Sequence, residues 1–339
     1  MGERAFSKLQ FGKESAAAHG TAVAADTLLA GAEIPPVNPD RTASFPEDNL
    51  GVRAAGSRVR LDQYLAQNTI RIPQCYFQAL PAILSCGLKG GVTPAEQTAS
   101  QNDMLWAHTP SMTATNAPDS LTLEAGDDDQ AYEIEYLMFE RIRLAGVIAQ
   151  AGEESPVSLE ADYFGRQVTP TAFTGSISVP NMTDIVAKLS RIYIDTTWAG
   201  KGTTEKTSLL RAWELELLTG LHPKFFGSGN RYFDTHGQGK IAVMLGLTFE
   251  GNATADAEFD KYRLGTKQAV RIQIDSGVQI GTGVNHKLTI DVWGAYQNVI
   301  ALSGEDRGNN LHTAMFSGLY DPTGAQIMDA QVITNVAAI

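Results

Sequence analysis

The side chains in this 339-residue sequence that could support catalysis or hold a metal fall in no spacing that would put them to that use. Its six histidines, His19, His108, His222, His236, His286 and His312, form neither a His-Glu-x-x-His motif nor an i, i+4 pair. No helical face therefore offers two imidazoles to one ion. No Gly-x-Ser-x-Gly turn is present to raise a nucleophilic serine. Gly239-Lys240 is followed by Ile241 where a phosphate-binding loop needs Ser or Thr, and Asp234 stands where that loop's first Gly belongs. Gly-x-Gly-x-x-Gly, the dinucleotide fingerprint, is missing as well. Asp127-Asp128-Asp129, with Glu124 before and Glu133 and Glu135 after, gathers hard oxygen donors. Its spacing fits no calcium loop, which leaves a solvated turn between strands or the acidic wall of a channel. Glu214 and Glu216 alternate on one strand face and read as its wet side rather than as an acid/base pair. The expectation is a non-enzyme with no catalytic residue, no metal and no cofactor.

Charge narrows the partners. Lys and Arg number 26 against 38 Asp and Glu, a formal net charge of −12. Tight nucleic-acid binding is driven by cations that displace condensed counterions, so an acidic surface opposes it while leaving DNA free to slide past. Hydrophobic content of 43% supports a packed core. Cys75 and Cys86 read as reduced, buried thiols on one helix. The opening residues lack the apolar run of a signal peptide, and no apolar stretch is long enough to cross a bilayer, so synthesis and assembly in a cytoplasm are expected.

The elements that would position these groups are mainly strands. Residues 1–68, rich in Ala, Gly and Pro, read as an extended arm with short strands, either disordered or lying on something else, often a neighbouring subunit. Residues 76–87 have helical spacing and a closing Gly. Residues 90–118 turn polar around Met104-Leu105-Trp106 and read as a long loop with an apolar tip, with Trp106 either at an interface or folded back onto the chain's own core. Beyond Leu121 the period becomes two: Tyr132/Ile134/Tyr136, Val157/Leu159/Ala161, Trp213/Leu215/Leu217, Val243/Leu245/Leu247, Val270/Ile272/Ile274 and Leu288/Ile290/Val292. Such alternation predicts half-buried antiparallel strands of a sandwich or barrel. Residues 255–263 predict a second short helix. Leu159–Gly165 and Leu245–Gly251 echo one another, which points to two tandem β domains, 69–180 and 181–339.

Several motifs, in their order, resemble the tail tube (major tail) proteins of tailed phages. Leu9-Gln10-Phe11-Gly12-Lys13-Glu14 followed by Gly20-Thr21-Ala22-Val23 is similar to that family's opening. Pro46-Glu47-Asp48-Asn49-Leu50-Gly51, Thr122–Asp127, the pair Arg141–Gly146 and Val157–Tyr163, and Lys287–Asp291 are similar in turn. The resemblance implies a mainly β fold, a tube-type β-sandwich or barrel with a flanking helix. It implies three chains per ring if the domains are duplicated and six otherwise, rings stacking into a DNA-conducting tube in the virion tail. Implied partners are further copies, the tape measure protein, and tail-tip (baseplate) and tail terminator proteins. DNA would pass through without tight binding. On this reading Phe11, Gly12, Glu14, Met104, Leu105 and Trp106 are expected at contacts between subunits or rings, and Glu124, Asp127, Asp128 and Asp129 at the lumen. Two other expectations stand beside it: a capsid or head–tail joining protein, for which no long spine helix is evident, and a carbohydrate-binding β-sandwich.

Overall fold

The computed structural model describes residues 3–38, 40–54, 56–96, 101–111 and 116–336. In chain order the first half forms β1 (Lys8–Lys13), β2 (Thr27–Leu28), β3 (Arg41–Ser44), β4 (Arg60–Tyr64), β5 (Ala66–Ile72), α1 (Leu80–Gly87), β6 (Ala95–Glu96), β7 (Asn102–His108), β8 (Leu121–Gly126), β9 (Ala131–Val147), β10 (Val157–Gly165) and β11 (Val168–Thr171). The second half forms β12 (Ser190–Asp195), β13 (Leu210–Leu218), β14 (Leu221–Lys224), β15 (Thr235–Gln238), β16 (Ala242–Glu250), α2 (Ala253–Leu264), β17 (Gln268–Ile280), β18 (Val284–Asp306), β19 (Asn309–Gly318) and β20 (Met328–Thr334). Strand accounts for 50% of the chain and helix for 9%, and the strands form a large antiparallel sheet that does not close into a barrel among the described residues.

The alternating segments are strands because each has one apolar file to bury. Leu215 and Leu217 on β13, Leu245 and Leu247 on β16, and Ile272 and Ile274 on β17 enter one core that spans both halves. Both helices pack against long strands. Helix α1 follows a 3-10 turn at Phe77–Ala79, carries Pro81 in its first turn where no amide hydrogen is needed, and is buried throughout. Its Gly87 lies so close to β9 that a Cβ would stand 2.6 Å from Ile142 Cδ1. Helix α2 starts at Asn252, whose Oδ1 accepts from the amides of Thr254 and Ala255, and stops at Gly265, with φ of 63°.

Strand β9 serves two ladders. Its first part lies between β8 and β11, its second between β10 and β13, with a bulge at Glu140. Strand β18 does the same with β17 and β20, then β19, with a bulge at Gln297. The pairing pattern therefore repeats: β1, β5, α1, β8, β9, β10 and β11 correspond to β12, β16, α2, β17, β18, β19 and β20. The halves also exchange strands, since β13 lies on β9 and β7 lies on β20.

Four expectations change. The segment 1–68 does contain short strands, but its first lies on the chain's own core rather than apart from it: β1 is buried between β2 and β8 because Leu9 and Phe11 need the core. The stretch 90–118 is not a plain loop, because it contains β6 and β7; positions 97–100 and 112–115 lie outside the described residues. Cys75 precedes the helix that carries Cys86, although both thiols are free and buried. The echoing segments Leu159–Gly165 and Leu245–Gly251 are not equivalent, because β10 corresponds to β19 and β16 to β5.

Candidate functional site

The chemistry concentrates on one open face. Strands β5, β10, β9, β13, β16, β19 and the second part of β18 run side by side, with their apolar file toward α1, α2 and the core. On the opposite face, the first four carry charges in alternation. Arg71 Nε lies 3.3 Å from Glu160 Oε1, and Arg143 Nη1 lies 3.4 Å from Glu160 Oε2. Arg143 also grips Glu214 with two bonds, Nε to Oε1 at 2.7 Å and Nη2 to Oε2 at 2.8 Å. Arg141 donates to Asp162 at 2.6 Å and to Glu216 at 3.4 Å. The Glu214 carboxylate raises the Arg143 guanidinium above its ordinary pKa, and Arg143 in turn lowers Glu214. Further along, β16, β19 and β18 present uncharged Met244, Gly246, Thr313, Met315 and Asn298. Arg71, Arg141 and Arg143 are thus each committed to a carboxylate, and the face offers a polyanion little to neutralise.

A second polar centre is internal. Glu14, 1% exposed, follows β1 and accepts from Gly20 N at 2.7 Å, Ser120 Oγ at 2.5 Å, Thr122 Oγ1 at 3.0 Å and Tyr136 N at 2.7 Å. Tyr136 stands at φ 56°, where the β8–β9 register slips, so Glu14 holds the bend of β9 in a backbone region that L-residues seldom occupy. The rest of the motif has structural causes too. Gly12 has no room for a Cβ against the Ala24 carbonyl oxygen, and Lys13 pairs with Asp119 at 3.0 Å. His19 Nδ1 lies 2.7 Å from Ser120 Oγ, and its ring stacks on Tyr136. Tyr136 Oη lies 3.1 Å from His236 Nδ1. Burial lowers the His236 pKa, and neighbouring His19 and His222 lower it further. Ser120, His19 and Glu14 have the residue types of a hydrolytic triad. Ser120 is fully buried and gives its proton to Glu14, so it presents no nucleophile to a substrate.

The residues singled out in sequence do not gather into one site. Phe11, Glu14, Met104 and Trp106 are buried inside the subunit, so as the chain is folded they offer no side chain to a neighbour. Of the two readings of Trp106, the core one holds: it points inward from β7 and donates to Ser85 Oγ at 3.1 Å, while Leu105 between the inward residues is 49% exposed. Glu124 is also buried rather than on a wall. Burial alone would raise its pKa, but bonds from Thr174 and Gln10 more than reverse this. Asp127, Asp128 and Asp129 form the turn between β8 and β9. Asp127 accepts from the amides of Asp129 and Gln130, which lower its pKa, and Asp128 accepts from the Glu3 amide. No group of His, Cys, Asp and Glu fit to hold a metal is present among the described residues. The charge lattice of β5, β10, β9 and β13 escaped sequence reading, although alternation put Glu214 and Glu216 on one wet strand face. No protein-family model matches the chain, and no curated protein matches it in sequence.

Proposed function

We propose that this protein is the structural subunit of a phage tail tube, stacking as rings around a channel through which DNA passes. The observation that carries the reading is the open sheet face. Its strands run across both halves, it is charged over β5, β10, β9 and β13 and uncharged over the strip beside them, and its Arg71, Arg141 and Arg143 are neutralised in place. Such a face suits a lumen wall, because free arginines would release counterions from DNA and hold it. The ordered motifs of the first strand and of β8 to β10 support the same family. Within this proposal the wall consists of the lattice and the uncharged strip beside it, and Glu124 takes no part in it. The partners are further copies of the chain, a tape measure protein during assembly, and tail-tip and terminator proteins at the ends. Negative-stain imaging of the purified chain tests the reading: rings or tubes are expected. A monodisperse monomer at every concentration, or closed shells, would end it.

A further inference from the structure

The internal repeat fixes a correspondence between residues, and that correspondence leaves one strand edge without the partner that its counterpart has. The bulges align Glu140 of β9 with Gln297 of β18, so Arg141, Ile142 and Arg143 match Asn298, Val299 and Ile300. A separate ladder gives the same alignment. The last β8–β9 pair is Leu121 with Leu137 and the last β17–β18 pair is Gln268 with Gly294, each three positions before its bulge. On β9 the edge facing away from β10 is taken by β13, with Glu216 opposite Arg143 and Glu214 opposite Ala145. On β18 the matching edge has no strand on it among the described residues, and Ile300 and Leu302 are 55% and 67% exposed.

The counterpart of β13 in the first half can be identified by the same route. On β16, Thr248 pairs with Thr313 of β19 and, on its other side, with Ala212 of β13. On β5 the residue equivalent to Thr248 is Arg71, which pairs with Glu160 and is bridged on its other side to Glu33. Glu33 therefore stands where Ala212 stands, and the segment 33–38 runs along β5 as β13 runs along β16. Its course is fixed by Glu33 N to Arg71 O, Asn68 Nδ2 to Pro36 O and Asn38 Nδ2 to Gln67 O. Counting from Glu33, Val37 takes the place of Glu216 and Pro35 that of Glu214.

We infer that the β18 edge at Asn298–Ile300, before the second irregularity of that strand, receives the Glu33–Asn38 segment of a second copy of this chain, in the register that β13 takes on β9, with Val37 set against Ile300. Where the joint inside the chain has the Glu216–Arg143 position, the joint between copies has two apolar side chains, 40% and 55% exposed in the single chain. Prolines 35 and 36 give no amide hydrogens, so side-chain packing carries this joint more than ladder bonds do, and the same prolines deter indiscriminate pairing of the edge. Donor segment and acceptor edge lie on different parts of the subunit, so the contact is head-to-tail and closes only as a ring. The inference rests on the tube reading for its setting and adds the identity of the seam.

The test places cysteines at the two facing positions, Val37→Cys and Ile300→Cys, in a chain whose own Cys75 and Cys86 are buried. A short bismaleimide should convert the double variant into a covalent ladder that ends at one closed species. Each single variant alone should give no ladder, and an equal mixture of the two should give a two-chain product only. Rings or tubes that assemble without the 37–300 cross-link would overturn the seam and leave the tube reading standing; a chain that never assembles would overturn both. As a second measure, Ile300→Glu should weaken assembly about tenfold or more by burying an unpaired charge, and adding Val37→Lys should restore it. Failure of that rescue, with assembly lost in both variants, also overturns the proposed register.

Discussion

Replacing Glu14 with Gln changes one buried carboxylate oxygen into an amide nitrogen and leaves the shape almost untouched. The carboxylate now receives four donors: Gly20 N, Ser120 Oγ, Thr122 Oγ1 and Tyr136 N. Glutamine Oε1 can keep the Thr122 and Tyr136 bonds, and the Ser120 hydroxyl can rotate to accept from Nε2. The Gly20 amide then faces another donor, and a buried donor left without a partner costs about 1–3 kcal/mol. The bonds that survive lose their charge assistance, which removes on the order of 1 kcal/mol more. The expected loss is about 2–4 kcal/mol of unfolding free energy, read from urea titrations at matched slope. Glu14→Ala should lose more, because the amide of Tyr136, at φ 56°, is then held by nothing from this side. Ser120→Ala combined with Glu14→Gln should be non-additive by about 0.5 kcal/mol or more, as expected of groups in one network. A Glu14→Gln change below about 0.5 kcal/mol with unchanged slope would refute the cradle's role in holding β9.

Trp106→Ala should cost about 3–5 kcal/mol of stability, as for a large buried side chain, and a loss under about 1 kcal/mol would return Trp106 to the surface. Burial lowers the pKa of His108, His236 and His286 from the ordinary 6.5, so below that value the unfolded chain binds more protons than the folded one. Their contribution to stability is therefore complete above pH 6.5 and declines as the pH falls; denaturant midpoints that rise on acidification from pH 7.5 to 6 would contradict this. Met244→Lys with Met315→Lys should turn the uncharged strip cationic and make assembled protein retain duplex DNA at low salt, with release as salt rises. Retention by the unaltered protein, or none by the variant, would count against this face as the wall.

Strands β10, β13, β16 and β17 were legible because a buried file and a wet file alternate in each of them. The same signal was present in β7, where Met104, Trp106 and His108 are buried between less buried Asp103, Leu105 and Ala107. Its polar and Pro-containing flanks concealed it, and its partner β20 lies at the far end of the chain. Strand β1 was misread for a different reason: Leu9, Gln10, Phe11 and Gly12 are buried on both faces, so no alternation exists to find. The charge lattice was half legible, because Arg141 and Arg143 announce a wet face while their partners come from β10 and β13, at separations that local patterning does not reach. Glu14 gave no sign of its burial, since its donors are two backbone amides and two hydroxyls gathered from distant segments.

The pairing of β7 with β20 also governs when the molecule can be finished. Strand β20 spans Met328–Thr334, so the bed on which Trp106 settles is synthesised long after β7 itself. Strand β9 likewise waits for β13. Neither half completes its sheet without a strand from the other. Under the proposed tube function, that delay would keep an incomplete product out of the growing polymer.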